Sequence, residues 1–231
     1  MRPEEFPEIL PGAAPDAALT ERIAASMAQD LKPVRPLPRT GATVVRLLVV
    51  FLAVVSVGSA ALGFGGLLHL SPGAIAVIFP FLAGLALLAA TASANATTPG
   101  SRRRFHPAVL MAAGCAVMAT VFMLVFDDHS LGSFVREGLV CLRAGLLWAV
   151  PTAVFTWLLL RRGYAVDRAA AGVACGMFAG LAGLSVLEFH CPNFRLWHIV
   201  VWHLAVVPIS AAVLAVIYFF GSKRRDAELM Q

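Results

Sequence analysis

The sequence predicts an all-α fold: a polytopic membrane protein with six transmembrane helices and a short cytoplasmic N-terminal segment. Three observations predict it. The chain is 59% hydrophobic and 13% charged, against about 25% charge in soluble domains, and its mean hydropathy is +0.82. A soluble fold of 231 residues could not hide that much apolar surface. Six apolar runs reach the roughly 20 residues that a bilayer crossing needs. Between the runs stand clusters of Pro, Gly, Asp and Arg, the residues that end helices and form loops.

The first element in order is polar. Residues 1–42 are Pro-rich and carry no signal-peptide pattern. Within them, "DAALTERIAASMAQDLKP" reads as a helix of about 16 residues, capped by Asp16 and ended by Pro33. Leu19, Ile23, Met27 and Leu31 recur every four residues and form an apolar stripe. Such a helix is marginal alone in water and cannot bury its stripe on itself. It must dock on the chain's own loops, on the membrane or in a partner's groove. Its body carries Glu21 and Asp30 with Arg22 as its basic residue, whereas membrane-surface helices are rich in Lys and Arg; the partner groove is therefore favoured. In the following "LKPVRPLPRT", Pro33, Pro36 and Pro38 impose an extended, semi-rigid connector. The positive charges of Lys32, Arg35 and Arg39 serve either as a membrane tether or as part of the partner epitope. The candidate partner-binding set is Leu19, Ile23, Met27, Leu31, Lys32, Pro33, Arg35 and Pro36.

The spans follow at roughly 43–66, 73–94, 108–126, 138–160, 169–189 and 199–220, giving a six-helix domain over 43–220 and a tail over 221–231. An even number of crossings leaves both termini on one side. The loops on that side, the head and the tail hold fifteen of the 18 Lys and Arg residues. By the positive-inside rule both termini are cytoplasmic, and the 127–137 and 190–198 loops face outward. The net charge of +5 then reads as topological and lipid-facing, not as a nucleic-acid footprint. In the fifth span, Gly172, Gly176 and Gly180 line one face, as in ordinary close helix packing. Pro80, Pro151 and Pro208 fall inside spans, where membrane helices tolerate them. The membrane core is nearly free of ionisable groups, which weakens a transporter reading. No phosphate-loop, HExxH or Gly-x-Ser-x-Gly signature supports an enzyme.

Polar chemistry gathers at one outward place. "LEFHCPNFRLWHIVVWHL", residues 187–204, holds Cys191 with His190, His198 and His203. Cys141, about one turn into the fourth span, lies at similar depth, so the two sulfurs could approach. Cys115 and Cys175 lie deeper, near the inner ends of their spans, and read as small hydrophobes. Three readings stand open. The first is a structural interface, with Trp197 and Trp202 in the aromatic belt. The second is a thiol redox switch. The third is a metal ion held by Cys191, His190 and one further His, all ligand types that zinc accepts. Against the third, Cys-x6-His-x4-His is no standard zinc spacing. His198 and His203, five apart, should also diverge by about 140° around a regular helix. Glu188 and Arg143 lie at matching depth and are expected to pair or to contact the cluster. Two rival functions remain: a haem- or quinone-binding protein using His198 or His203, and a small-solute transporter with a water-filled cavity.

Several stretches together are similar to one family. The head ending in "LKPVRPLP", the six spans, "CLRAGLLWAVPTAVFTWLLLRRG" from Cys141 and "LEFHCPN…H…WHL" from Leu187 resemble the NrsF-like membrane anti-sigma factors of proteobacteria. The resemblance covers nearly the whole chain. It implies an inner-membrane protein whose cytoplasmic head sequesters an extracytoplasmic-function sigma factor. It also implies two outward cysteines, Cys141 and Cys191 here, linked to sensing stress. It assigns no certain cofactor.

Overall fold

A single segment crossing lipid must satisfy its backbone hydrogen bonds internally, and a helix does so. The structure, a computed structural model, describes residues 17–30, 38–98, 100–101, 105–161, 163 and 165–229, with the side chains of 29–30 and 221–229 left aside. The described residues contain helices and no strand. The chain divides into two units, residues 1–36 and 37–231.

In the first unit α1 spans Ala17–Asp30. Leu19, Ile23 and Met27 are 54%, 51% and 65% exposed, so the stripe is unburied within its own unit. The expected Asp16 cap and the candidate residues Leu31, Lys32, Pro33, Arg35 and Pro36 lie outside the described residues.

The second unit runs α2 (Thr40–Leu62), α3 (Gly65–His69), α4 (Pro72–Ala96), α5 (Pro107–Val125), α6 (Phe134–Leu160), α7 (Arg168–His190), α8 (Leu196–His198), a π-helical turn (Ile199–His203) and α9 (Val206–Leu229). Six segments are long and apolar enough to cross a membrane, the last being Leu196–Phe220. This fits a multi-pass membrane protein. Local chemistry sets the ends. Ser71 and Asp167 accept from the backbone N–H of Ala74 and Ala170, at 3.1 and 2.9 Å, and so cap α4 and α7. Gly63, at φ 93°, ends α2 four residues before the expected boundary and turns the chain into the short α3. Pro80 and Pro151 pass within α4 and α6 without ending them.

α7 is the axis of the bundle. Of its apolar window 94% is buried, against 17–39% for the other five spans. It packs on α2, α3, α4, α5, α6 and α9. Its small residues permit this. A methyl group on Gly172 would stand 2.5 Å from the Leu214 carbonyl oxygen, and one on Gly180 would stand 2.6 Å from Val207 Cα. On the far side Gly183 lies against the Gly145 carbonyl of α6. The larger core side chains fill the space towards α2 and α4, where Phe51 and Phe178 rings meet at 5.5 Å. The outer faces carry exposed Val49, Leu52, Leu88, Leu147 and Val216, an apolar coat of the kind lipid tails cover.

The connections gather at two ends. The α2–α3 turn, the α5–α6 loop and the α7–α8 loop meet at one. At the other, α2 begins beside the α4–α5 and α6–α7 connections, leaving an open cleft of about 250 Å³ lined by Arg46, Thr97 and Arg161 among others.

Candidate functional site

Two loops are clamped together over the first end. Arg195 donates from Nη1 to the Gly132 carbonyl and lies 3.5 Å from the Glu137 carboxylate. Asn193 Nδ2 donates to the same carboxylate at 2.8 Å. The Leu196 N–H donates to the Asp128 carbonyl at 2.7 Å, and the Phe126 and Phe194 rings stack at 5.8 Å. The α5–α6 and α7–α8 loops therefore hold each other, and with them the residue that ends α7.

That residue is Cys191. Its N–H closes the last turn of α7 on the Leu187 carbonyl at 2.7 Å, and it is 6% exposed. Cys141 lies seven residues into α6, about 10 Å along the helix, two turns in instead of the expected one because α6 begins at Phe134. The sulfurs are 3.6 Å apart, and both cysteines are free thiols. The Cys191 thiol is held above its ordinary pKa, first by its hydrogen bond with the Cys141 sulfur and then by burial.

The histidines overturn an expectation. An α-helix would place His198 and His203 on different faces. The chain instead makes a π turn over Ile199–His203, with the Leu204 N–H donating to the Ile199 carbonyl at 3.1 Å. A turn closed by an i→i+5 bond gives residues five apart the neighbour relation that residues four apart have in an α-helix. The two rings accordingly meet edge to face at 5.1 Å, both almost fully buried. His198 Nε2 is 3.6 Å from the Cys191 sulfur. One donor atom each from Cys141, Cys191, His198 and His203 falls within a set whose members all lie within 4.8 Å of one another. The sequence carries a signal for this break. Pro208 has no N–H to offer the Leu204 carbonyl, which accepts from Val207 instead at 3.1 Å, and Pro208 sits in the first turn of α9, where a missing donor costs little.

Of the two outcomes expected for Glu188 and Arg143, pairing with each other or contact with the cluster, the second holds for Glu188, and the expectation for His190 is corrected. Glu188 does not pair with Arg143. Glu188 is 3% exposed and its Oε1 accepts from His203 Nδ1 at 2.8 Å, whereas Arg143 is exposed on α6. A carboxylate only accepts, so the proton sits on Nδ1. Nor does His190 join the sulfurs; its Nδ1 lies 3.4 Å from the Gly63 carbonyl in the α2–α3 turn. Trp202 is half-buried against Phe134 and Gly138, and Trp197 is 38% exposed. Cys175 is buried beside the Tyr218 hydroxyl and Cys115 is half-buried, both away from the cluster.

In this largely buried set, backed by one carboxylate, the two thiols can bridge as a disulfide, or thiols and imidazoles together can bind a soft cation. An open depression lined by Asp128, Glu137, Pro192, Asn193, Phe194 and Arg195 lies beside Cys191.

A family model described as NrsF, negative regulator of sigma F, matches residues 27–219. Neither a curated protein nor a solved structure matches the chain.

Proposed function

The chain belongs to the NrsF family of negative regulators of sigma F, and on that premise we propose that it is a membrane-held anti-sigma factor for an extracytoplasmic-function sigma factor, released by stress acting at the Cys141/Cys191 cluster. The family makes the protein a negative regulator of a sigma factor. The observation that carries the finer reading is the stripe of Leu19, Ile23 and Met27, at least half exposed along one helix face and unburied within its own unit. A stripe of that kind fits a groove on another protein. Residues 1–42 are the partner-binding head, 43–220 the membrane domain and 221–231 a second cytoplasmic segment. The bias of Lys and Arg puts head and tail on the cytoplasmic side of the inner membrane, in reach of a sigma factor, and the cluster on the outer side.

On the outer side, an oxidant that takes two electrons and two protons from the thiols of Cys141 and Cys191 joins their sulfurs. From 3.6 Å the pair has about 1.5 Å to close, a movement felt by α6 and α7 together. The haem reading loses ground to crowding, since the nitrogen of His198 nearest the cluster is 3.6 Å from a sulfur and leaves no room for a porphyrin face.

The test is co-purification. Full-length protein extracted in mild detergent from its own cells retains a sigma factor, identified by mass spectrometry, and the triple substitution Leu19→Asp, Ile23→Asp, Met27→Asp loses it. If the triple variant holds the sigma factor as well as the native chain, the head reading is wrong. Cys141→Ser and Cys191→Ser alter stress-induced transcription, and Cys115→Ser does not.

A further inference from the structure

We infer that Cys141, Cys191, His198 and His203 form a closed, tetrahedral Cys2His2 site for a divalent thiophilic ion of the zinc class, with Glu188 as the carboxylate that orients His203.

The donor set is assigned atom by atom. Cys141 and Cys191 supply Sγ. His198 supplies Nε2, the nitrogen already facing Cys191 Sγ. His203 supplies Nε2, because its Nδ1 is taken by Glu188. That Nε2 is buried and has no hydrogen-bond partner, in a residue 1% exposed. Buried imidazole nitrogens are almost always satisfied, and a cation resolves this one. The arrangement Glu188–His203–ion repeats the carboxylate–histidine–metal relay that fixes a ligating ring and raises its basicity.

The distances fit. With bonds of about 2.3 Å to sulfur and 2.0–2.1 Å to nitrogen, a tetrahedral zinc site has sulfur–sulfur edges of about 3.8 Å and sulfur–nitrogen edges of about 3.6 Å. The sulfur–sulfur and Cys191–His198 separations are both 3.6 Å. The longest separation in the set is within 4.8 Å, so a ring rotation closing it by about 1 Å completes the tetrahedron. Charge fits as well. Binding releases two thiol protons, so two thiolates offset the dication, while the Glu188 carboxylate is held by the His203 N–H that the ion polarises. Four protein ligands leave no open position, which marks a structural or regulatory site, not a catalytic one.

The regulatory meaning rests on the anti-sigma reading. An ion held by both sulfurs excludes the disulfide, so metal occupancy and oxidation are competing states of one site.

The experiment uses full-length protein in detergent, reduced and stripped by a chelator, titrated with Co2+ alone. One Co2+ binds per chain, with the visible bands of tetrahedral cobalt and thiolate-to-cobalt charge transfer in the near ultraviolet, and Zn2+ displaces it. Cys141→Ser and His203→Ala abolish the spectrum. Glu188→Gln, which keeps the volume, lowers affinity 10- to 100-fold while retaining the spectrum. Cys115→Ser matches wild type. Circular dichroism verifies that each variant is folded. Should wild-type protein bind Co2+ no better than the Cys141→Ser/Cys191→Ser double variant, or should folded His203→Ala keep the same spectrum and affinity, the site does not exist. Sigma-factor retention is read on the same samples. Retention without cobalt binding removes the metal site and leaves the anti-sigma reading standing. Cobalt binding by protein that retains no sigma factor in either the metal-free or the loaded state supports the site and removes the anti-sigma reading.

Discussion

Glu188 is a buried carboxyl group, 3% exposed, costly to leave unpartnered, and its partner is His203 at 2.8 Å. Removing the carboxylate strands a buried imidazole N–H, which costs about 1–3 kcal/mol. Glu188→Ala is therefore expected to lower the thermal midpoint of the detergent-solubilised protein. Glu188→Gln, whose amide oxygen can still accept from Nδ1, should lower it less. Arg143→Gln, at an exposed position, should fall within about 0.5 kcal/mol of wild type. Equal melting of Glu188→Ala and wild type would mean that the pair contributes nothing. The sequence marks Glu188 as a residue of the cluster, because its depth in the span follows from counting residues. It leaves open whether Glu188 pairs with Arg143 or contacts the cluster, because depth says nothing about which way α6 turns its side chains. Arg143 matches Glu188 in height and faces away, as a long cationic side chain can when its head group reaches the interface.

At the scale of elements, two devices make the site: a helix that lets others come close, and one that changes its winding. The first is α7 against α9. Gly176→Val pushes a branched side chain into the Ala211 and Ser210 backbone and should cost about 1–3 kcal/mol or more in unfolding free energy. Gly84→Ala, mid-span in α4 with nothing within 4 Å of the new methyl, should be neutral or stabilising by about 0.5–1 kcal/mol. Both are read by denaturant titration in mixed micelles, and a harmless Gly176→Val would dispose of the close-contact account. The second device is the π turn ahead of Pro208. Pro208→Ala restores the donor for the Leu204 carbonyl and allows regular winding from α8 into α9. His203 then swings away from His198 and out of the donor set, so the tetrahedral Co2+ spectrum should be lost as in His203→Ala, while the helical content stays unchanged. An unchanged spectrum would show that packing, not Pro208, holds the turn. All six spans are legible in the sequence, since run length and breaker residues report on the bilayer directly. The α2–α3 reversal at Gly63 and the π turn are not, because pattern reading assumes 3.6 residues per turn throughout. That assumption separated His198 from His203 on paper.

Across the whole molecule, α7 touches each of the other long helices and ends at Cys191, so a change at the cluster cannot stay within one helix pair. If cluster and head are coupled through the bundle, the coupling is a free energy and acts both ways. Regulatory couplings of about 1–3 kcal/mol change affinity about 5- to 150-fold. The expected outcome is that Zn2+ at the cluster changes the dissociation constant for the sigma factor by some factor within that range. Saturating sigma factor should then change the dissociation constant for Zn2+ by the same factor. Both are measurable on one detergent-solubilised preparation, by fluorescence anisotropy of labelled sigma factor and by competition with a chelating dye. The Leu19→Asp, Ile23→Asp, Met27→Asp variant supplies the uncoupled Zn2+ affinity, since its cluster is intact and its head cannot bind. Two factors that are equal and different from one establish a signalling bundle. Two factors of one, with both ligands bound, would mean that the cluster is a staple for the outer loops and that the sigma factor is held by a head indifferent to it.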